Sequence, residues 1–291
     1  MAMNKVFALF LALGLSMSLN AQKNWYVGFN LGSAQNIQLA DWYDATYVDV
    51  YYYDSTEFID VYTSNPSGLG KGSRLGLYMG YSITNSMALE LAVTKRGTAS
   101  VITKHVDRAE AYGTPYFFEA AYTTTFNAKG WTFNPRVCIK EDFKKLSAFL
   151  RAGALIGSID LSADTRVFVF NSIPGYNPTG SREYTREYET GMSVGSSFSG
   201  GCSYNLGYGF RLNAELQWEF LAVWPTTAEM TAYTEDGTNK LSTLSVNERK
   251  VEYVDSYSTE NNSNKNIPYK RLKEVYSLNS FNVLAGVSYS F

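Results

Sequence analysis

Apolar and polar residues alternate along this chain with a period of two, in segments of roughly ten residues. In Trp25–Gly32, Trp25, Val27, Phe29 and Leu31 oppose Tyr26, Gly28, Asn30 and Gly32 without an error. Ser73–Thr84 sets Leu75, Leu77, Met79, Tyr81 and Ile83 against Arg74, Gly76, Tyr78, Gly80, Ser82 and Thr84. Beyond a turn at Asn85-Ser86, Met87, Leu89, Leu91 and Val93 oppose Ala88, Glu90, Ala92 and Thr94. Trp131, Phe133, Pro135, Val137 and Ile139 then face away from Thr132, Asn134, Arg136 and Cys138. After the polar turn 140–145, Ala148, Leu150, Ala152, Ala154 and Ile156 oppose Phe149, Arg151, Gly153 and Gly157. A weaker sixth segment, Met192–Tyr204, carries Ser and Gly on both faces. The seventh runs from Phe210 to Phe220 with Arg211, Asn213, Glu215, Gln217 and Glu219 opposite. The eighth runs from Phe281 to Phe291. Period-two alternation predicts strands with one greasy face.

The polar faces are rich in Gly and carry their charges singly. A sandwich puts its apolar faces inside and its charges outside. A narrow closed barrel does the reverse, crowding backbone and long polar side chains into a small lumen. Closure also pairs every backbone N–H and C=O, which lipid demands. The pattern therefore predicts an all-β, closed antiparallel transmembrane β-barrel of eight strands. Short connections fall near 85–86, 140–145 and 205–208, and long ones near 34–72, 97–129, 158–191 and 221–277, so both termini lie on the short-turn side. Within the long connections, Tyr47–Tyr53 and Phe58–Thr63 flank a polar turn, and Val167–Phe170 pairs in character with Tyr184–Tyr188. These predict hairpins that extend the strands above the membrane.

The first 21 residues fall outside this pattern. Lys5 precedes an almost unbroken apolar run, Val6–Leu19, followed by small residues up to Ala21. That is the layout of a cleaved signal peptide, and it is too short for a comfortable membrane span. The barrel domain is expected to occupy residues 22–291. Composition adds 23 Tyr, 17 Phe and 5 Trp, a load suited to membrane interfaces. A net charge of −2 gives no reason to expect nucleic acid.

At this point the chain resembles the small outer-membrane porin-like barrels of the OmpA transmembrane-domain and OmpX type. The likeness rests on the leader, the eight alternating segments and the ending Val287-Ser288-Tyr289-Ser290-Phe291. It implies a Gram-negative outer membrane, lipopolysaccharide as neighbour, and Tyr289 and Phe291 as the signal read by the barrel-assembly machinery. Against the OmpA type, no peptidoglycan-binding domain is expected after the last strand, and the loops are long for the OmpX type.

Candidate chemistry is sparse. Glu90, Arg136, Arg151, Arg211 and Glu215 share the inward parity and need partners there, because an unpaired buried charge is costly. Glu90 and Arg136 are expected to meet across neighbouring strands, with Arg151 and Glu215 as a second pair or part of one network. Such a lumen reads either as a salt-bridged plug or as a gated pore. The first loop sets six acids, Asp41 to Asp60, among Trp42, Tyr43, Tyr47, Tyr51 and Tyr53, a candidate recognition surface for an extracellular or surface protein. His105, the one histidine, lies near Ser100 and Asp107, the residue types of lipid A-modifying barrels, but sequence proximity does not make a triad. No cofactor or metal ligand set is evident. Cys138 points inward and Cys202 outward on strands that are not neighbours, so both are expected as free thiols. The reading is a non-enzymatic barrel with a structural or surface-interaction role. A narrow channel for small or hydrophobic solutes, through an open lumen or a lateral gap near the weak sixth strand, is the alternative. A lipid A-modifying enzyme is the second.

Overall fold

A computed structural model describes residues 24–37, 47–53, 56–63, 69–111, 117–171, 179–256 and 264–291. The expected leader and the recognition residues Trp42 and Tyr43 lie outside the described residues. The strands, in chain order, are β1 (Trp25–Asn36), β2 (Tyr47–Tyr53), β3 (Thr56–Thr63), β4 (Gly72–Ser82), β5 (Met87–Ala111), β6 (Phe117–Phe143), β7 (Leu146–Asn171) and β8 (Thr179–Thr190). They continue as β9 (Ser193–Gly207), β10 (Phe210–Val223), β11 (Pro225–Glu235), β12 (Thr238–Asn239), β13 (Lys250–Val254), β14 (Tyr269–Leu272), β15 (Tyr276–Ser277) and β16 (Ser280–Ser290).

Eight of these close a ring. The hydrogen-bonded order is β1-β4-β5-β6-β7-β9-β10-β16 and back to β1, antiparallel throughout. No edge remains within the ring, as a lipid-facing sheet requires. Parity follows the alternation. Phe29, Leu89, Leu150, Trp218 and Val283 are exposed on the outer wall, while Asn30, Glu90, Arg136, Arg151 and Glu215 are buried. On β7 the outward apolar row from Leu146 to Ile156 covers eleven residues, or about 24 Å of height at the usual strand tilt, the thickness of an apolar belt. Aromatic pairs rim it: Trp25–Tyr81, Phe210–Tyr289 and Tyr289–Phe291 at the short-turn end, Trp218–Phe281 at the other. Lys95 stands over the Trp131 ring at 5.9 Å, an ammonium held at the belt's upper border. The chain is thus a membrane barrel. With cysteines introduced singly, Trp25, Phe29, Leu77, Leu91, Phe133, Leu150 and Val283 should be quenched from the lipid phase, and Asn213 should not; lipid-accessible Asn213 would mean a register slipped by one.

The short turns lie at 83–86, 144–145 and 208–209, slightly displaced from the expected positions. Tyr208 and Gly209 both take positive φ, 53° and 84°, the two-residue turn that matches strand twist. Inward glycines make room for inward rings: a Cβ on Gly28 would sit 2.1 Å from the Tyr78 ring, and one on Gly80 2.2 Å from that of Tyr26.

The long-loop side departs from expectation. Segment 97–129 is for the most part not a loop, because β5 and β6 run unbroken for 25 and 27 residues. β7 runs for 26 and changes partner, pairing β9 below Gly157 and β8 above Leu161. Above the belt no lipid holds the outer face apolar, and on β7 the apolar row instead turns inward at Ile159, Leu161, Ala163 and Val167. β5, β6 and β7 together with β8 and β11 rise as a wall. The expected hairpin β2–β3 forms, but it joins the wall beside β5 rather than prolonging β1 and β4. β13 and β14 flank the other side.

Candidate functional site

The lumen is filled in layers. Nearest the short turns is a vestibule of about 160 Å³, lined in part by Tyr26, Tyr78, Phe149, Arg151, Arg211 and Asn213. Above it, four charges form a cycle. Arg136 Nε lies 2.6 Å from Glu90, Arg151 Nε 2.9 Å from the same Glu90 oxygen, Arg151 Nη1 2.6 Å from Glu215, and Arg136 Nη1 3.7 Å from Glu215. The cross-strand register places Glu90 directly opposite Arg136, and Glu215 reaches over from β10. Tyr26 donates to the other Glu90 oxygen at 2.7 Å. The Tyr78 ring faces both guanidinium groups at 5.4 and 5.2 Å, and the Phe149 ring lies 4.0 Å from that of Arg151. The four charges, expected as two pairs or as one network, form one cycle in which Arg151 joins both acids. Arg211 is not part of it; it stands at the vestibule rim, 3.8 Å from Asp142.

A layer of amides follows. Asn134 donates to Ser197 at 2.7 Å and Asn282 to Gln217 at 3.2 Å. Next comes a second buried charge cluster, which the sequence reading did not assemble. Glu219 sits 2.9 Å from Arg96 and 3.5 Å from Arg74. The two arginines face each other across β4 and β5. They also donate to main-chain carbonyls, Arg74 to Gly70 at 2.7 Å and Arg96 to Leu278 at 3.1 Å, and Arg74 reaches the Ser280 hydroxyl at 3.4 Å. Arg74 and Glu219 share the inward parity, but Arg96 stood at the edge of an expected loop.

The topmost layer is apolar: Leu69, Val101, Ala128, Leu155, Ile159, Leu161, Leu221, Val223 and Leu278, capped by Phe126, Tyr188 and Tyr276. Leu155 interrupts an inward row that also holds Ser147, Arg151 and Gly153, a local signal that the lumen is not polar throughout.

The remaining candidates do not converge on this axis. Tyr47, Tyr51 and Tyr53 lie on β2, paired with β3. Tyr289 and Phe291 sit in the short-turn girdle. Ser100 and His105 lie on one extended strand, β5, at a backbone separation of about 17 Å. Ser100 donates instead to Asn127 at 2.7 Å. Among the described residues no cluster of His, Cys, Asp or Glu could hold a metal ion. Cys138 is buried, Cys202 exposed, and both are free thiols.

Similar architectures occur among solved structures. Neisserial surface protein A matches with a TM-score of 0.34 at 13% identity, over 92% of this chain and 97% of that one. Outer membrane protein OprG of Pseudomonas aeruginosa matches with 0.39 at 9%, over 93% and 97%. The outer membrane protease OmpT of Escherichia coli matches with 0.29 at 7%, over 92% and 97%. Likenesses this distant carry no activity over to this chain. No protein-family model and no curated protein matches it.

Proposed function

We propose that this chain is a sealed outer-membrane barrel whose role is structural or one of surface interaction, exercised by the wall beyond the membrane. The layered closure of the lumen carries this reading. A conducting pore needs a continuous wet path, whereas here an ion-pair cycle, an amide layer, a second charge cluster and an apolar cap succeed one another along the axis. Eight strands leave little more than side-chain room in any case. Outer-membrane lipid and lipopolysaccharide are the expected surroundings, the barrel-assembly machinery the expected route of insertion, and a molecule outside the cell the expected ligand. Enzymatic chemistry and nucleic-acid binding form no part of the proposal.

Planar-bilayer recording tests it. The purified chain should show no steady conductance, and Arg136→Ala should show none either, because the amide, Glu219 and apolar layers remain above the cycle. A large conductance gain in Arg136→Ala would make the cycle a gate and the protein a channel.

A further inference from the structure

Above the belt the sheet no longer closes. Its hydrogen-bonded order ends at β2 on one side and at β14 on the other, and among the described residues no strand pairs with the outer edge of either. Outward from β5, β3 and β2 succeed each other where the ring has β4 and β1. Outward from β7, β8, β11, β13 and β14 take the places of β9, β10, β16 and β1. Counted this way, both edges fall over β1, as the two lips of a seam.

The registers also set their heights. A row of paired residues that leaves β1 at Tyr26 and passes Glu90, Arg136 and Glu219 returns to β1 at Asn36. Eight steps round the ring thus climb ten residues away from the short turns, the stagger of a tilted barrel. On β14, Tyr269 lies in the row of Leu161. On β2, Asp49 lies in the row of Val169, eight residues higher on β7. From β2 to β14 is again eight steps in the climbing direction. At the ring's stagger the climb of ten residues outweighs the eight, and Tyr269 stands two residues above Asp49. The alternation of strand directions makes β2 rise from the membrane and β14 descend toward it. Arg271 therefore comes level with Asp49, and Leu272 with Val48, in the antiparallel sense.

The lips differ in charge. Residues 41–60 hold six acids and no base, whereas 264–275 hold Lys265, Lys270, Arg271 and Lys273 against Glu274. Basic residues by themselves guard a sheet edge against its own copies. An acidic edge on the same chain, at the same height, turns that guard into a complement. Leu272 and Val275, on and beside β14, are 56% and 59% exposed. A guarded edge avoids such exposure, and it shows that the lips do not cover each other within one chain.

We propose that two copies of this chain pair in the outer membrane through these edges, β2 of each against β14 of the other. A two-fold axis along the membrane normal sets seam against seam and makes both contacts at once, because the lipid belt holds each copy at the same height. Each contact places Asp49 opposite Arg271, an attractive cross-strand pair, and Val48 opposite Leu272. A free peptide needs neither the matched height nor the opposed direction, whereas a second copy uses both.

The inference rests on the wall being a surface of interaction. Conductance bears on the sealed lumen alone, so the two readings fail separately. Sedimentation equilibrium of the full chain in density-matched detergent should show a reversible dimer. Arg271→Glu should weaken it about tenfold or more, since the altered pair occurs twice. Asp49→Arg should do the same, and Asp49→Arg/Arg271→Glu should restore it, a rescue that a merely damaged fold cannot give. Heat-modifiable migration checks that each variant is folded. With Cys202→Ser as background, Asp49→Cys and Arg271→Cys chains should cross-link in lipid vesicles when mixed, and neither should alone. A chain that stays monomeric, with or without bound oligoglutamate, would overturn the proposal. So would indifference of the dimer to Arg271→Glu in a folded variant, no rescue by the exchanged pair, or, with both cysteines on one chain, a cross-link formed within the monomer.

Discussion

Replacing Glu219 with Ala should destabilise the barrel by about 3–5 kcal/mol, the cost of stripping a buried ion cluster of one partner. Arg74 and Arg96 lie directly opposite each other on β4 and β5, and both are only 3% exposed. Glu219 sits between them, and Ser280 donates to it at 3.1 Å. Without that carboxylate two like charges face each other in a dry layer, relieved only by main-chain carbonyls and the Ser280 hydroxyl. Removing one of them should then help. The double variant Glu219→Ala/Arg96→Ala should be more stable than Glu219→Ala alone, a reversal that independent sites cannot give. Urea unfolding in lipid vesicles, followed by tryptophan fluorescence, measures both. A double variant weaker than the single one would mean that Arg96 acts mainly through its bond to the Leu278 carbonyl.

Glu90→Gln should be the second large effect, again about 3–5 kcal/mol, and it should exceed that of Arg136→Ala. Two separate pairs would make the two losses equal. The cycle makes them unequal. When Arg136 is removed, Glu90 keeps Arg151 at 2.9 Å and the Tyr26 hydroxyl at 2.7 Å. When the Glu90 charge is removed, two arginines must share Glu215, and Arg136 reaches it only at 3.7 Å. The same unfolding measurement orders the variants. An Arg136→Ala loss equal to or greater than that of Glu90→Gln would restore the two-pair description.

Within the membrane the sequence was legible because each strand has one face in lipid and one in a crowded lumen. The free-energy difference between those surroundings leaves its mark at every second residue, and it was enough to read strand number, parity, the inward charges and the opposite orientations of Cys138 and Cys202. Direct strand neighbours also followed, since β5 and β6 flank one connection and must bring Glu90 beside Arg136.

Only the tertiary structure decided the rest. Above the belt no lipid imposes a continuous apolar outer face, so the long continuations of β5 and β6 looked like loop, and Ser100 and His105 looked closer than an extended strand allows. The closing of Glu90, Arg136, Arg151 and Glu215 into one cycle, the meeting of Arg74 and Arg96 with Glu219, and the apolar cap built from Leu69, Leu155, Leu221 and Leu278 each bring together residues far apart in the chain. Ring closure and strand stagger set which inward residues share a height, and no local pattern in a single strand contains that information.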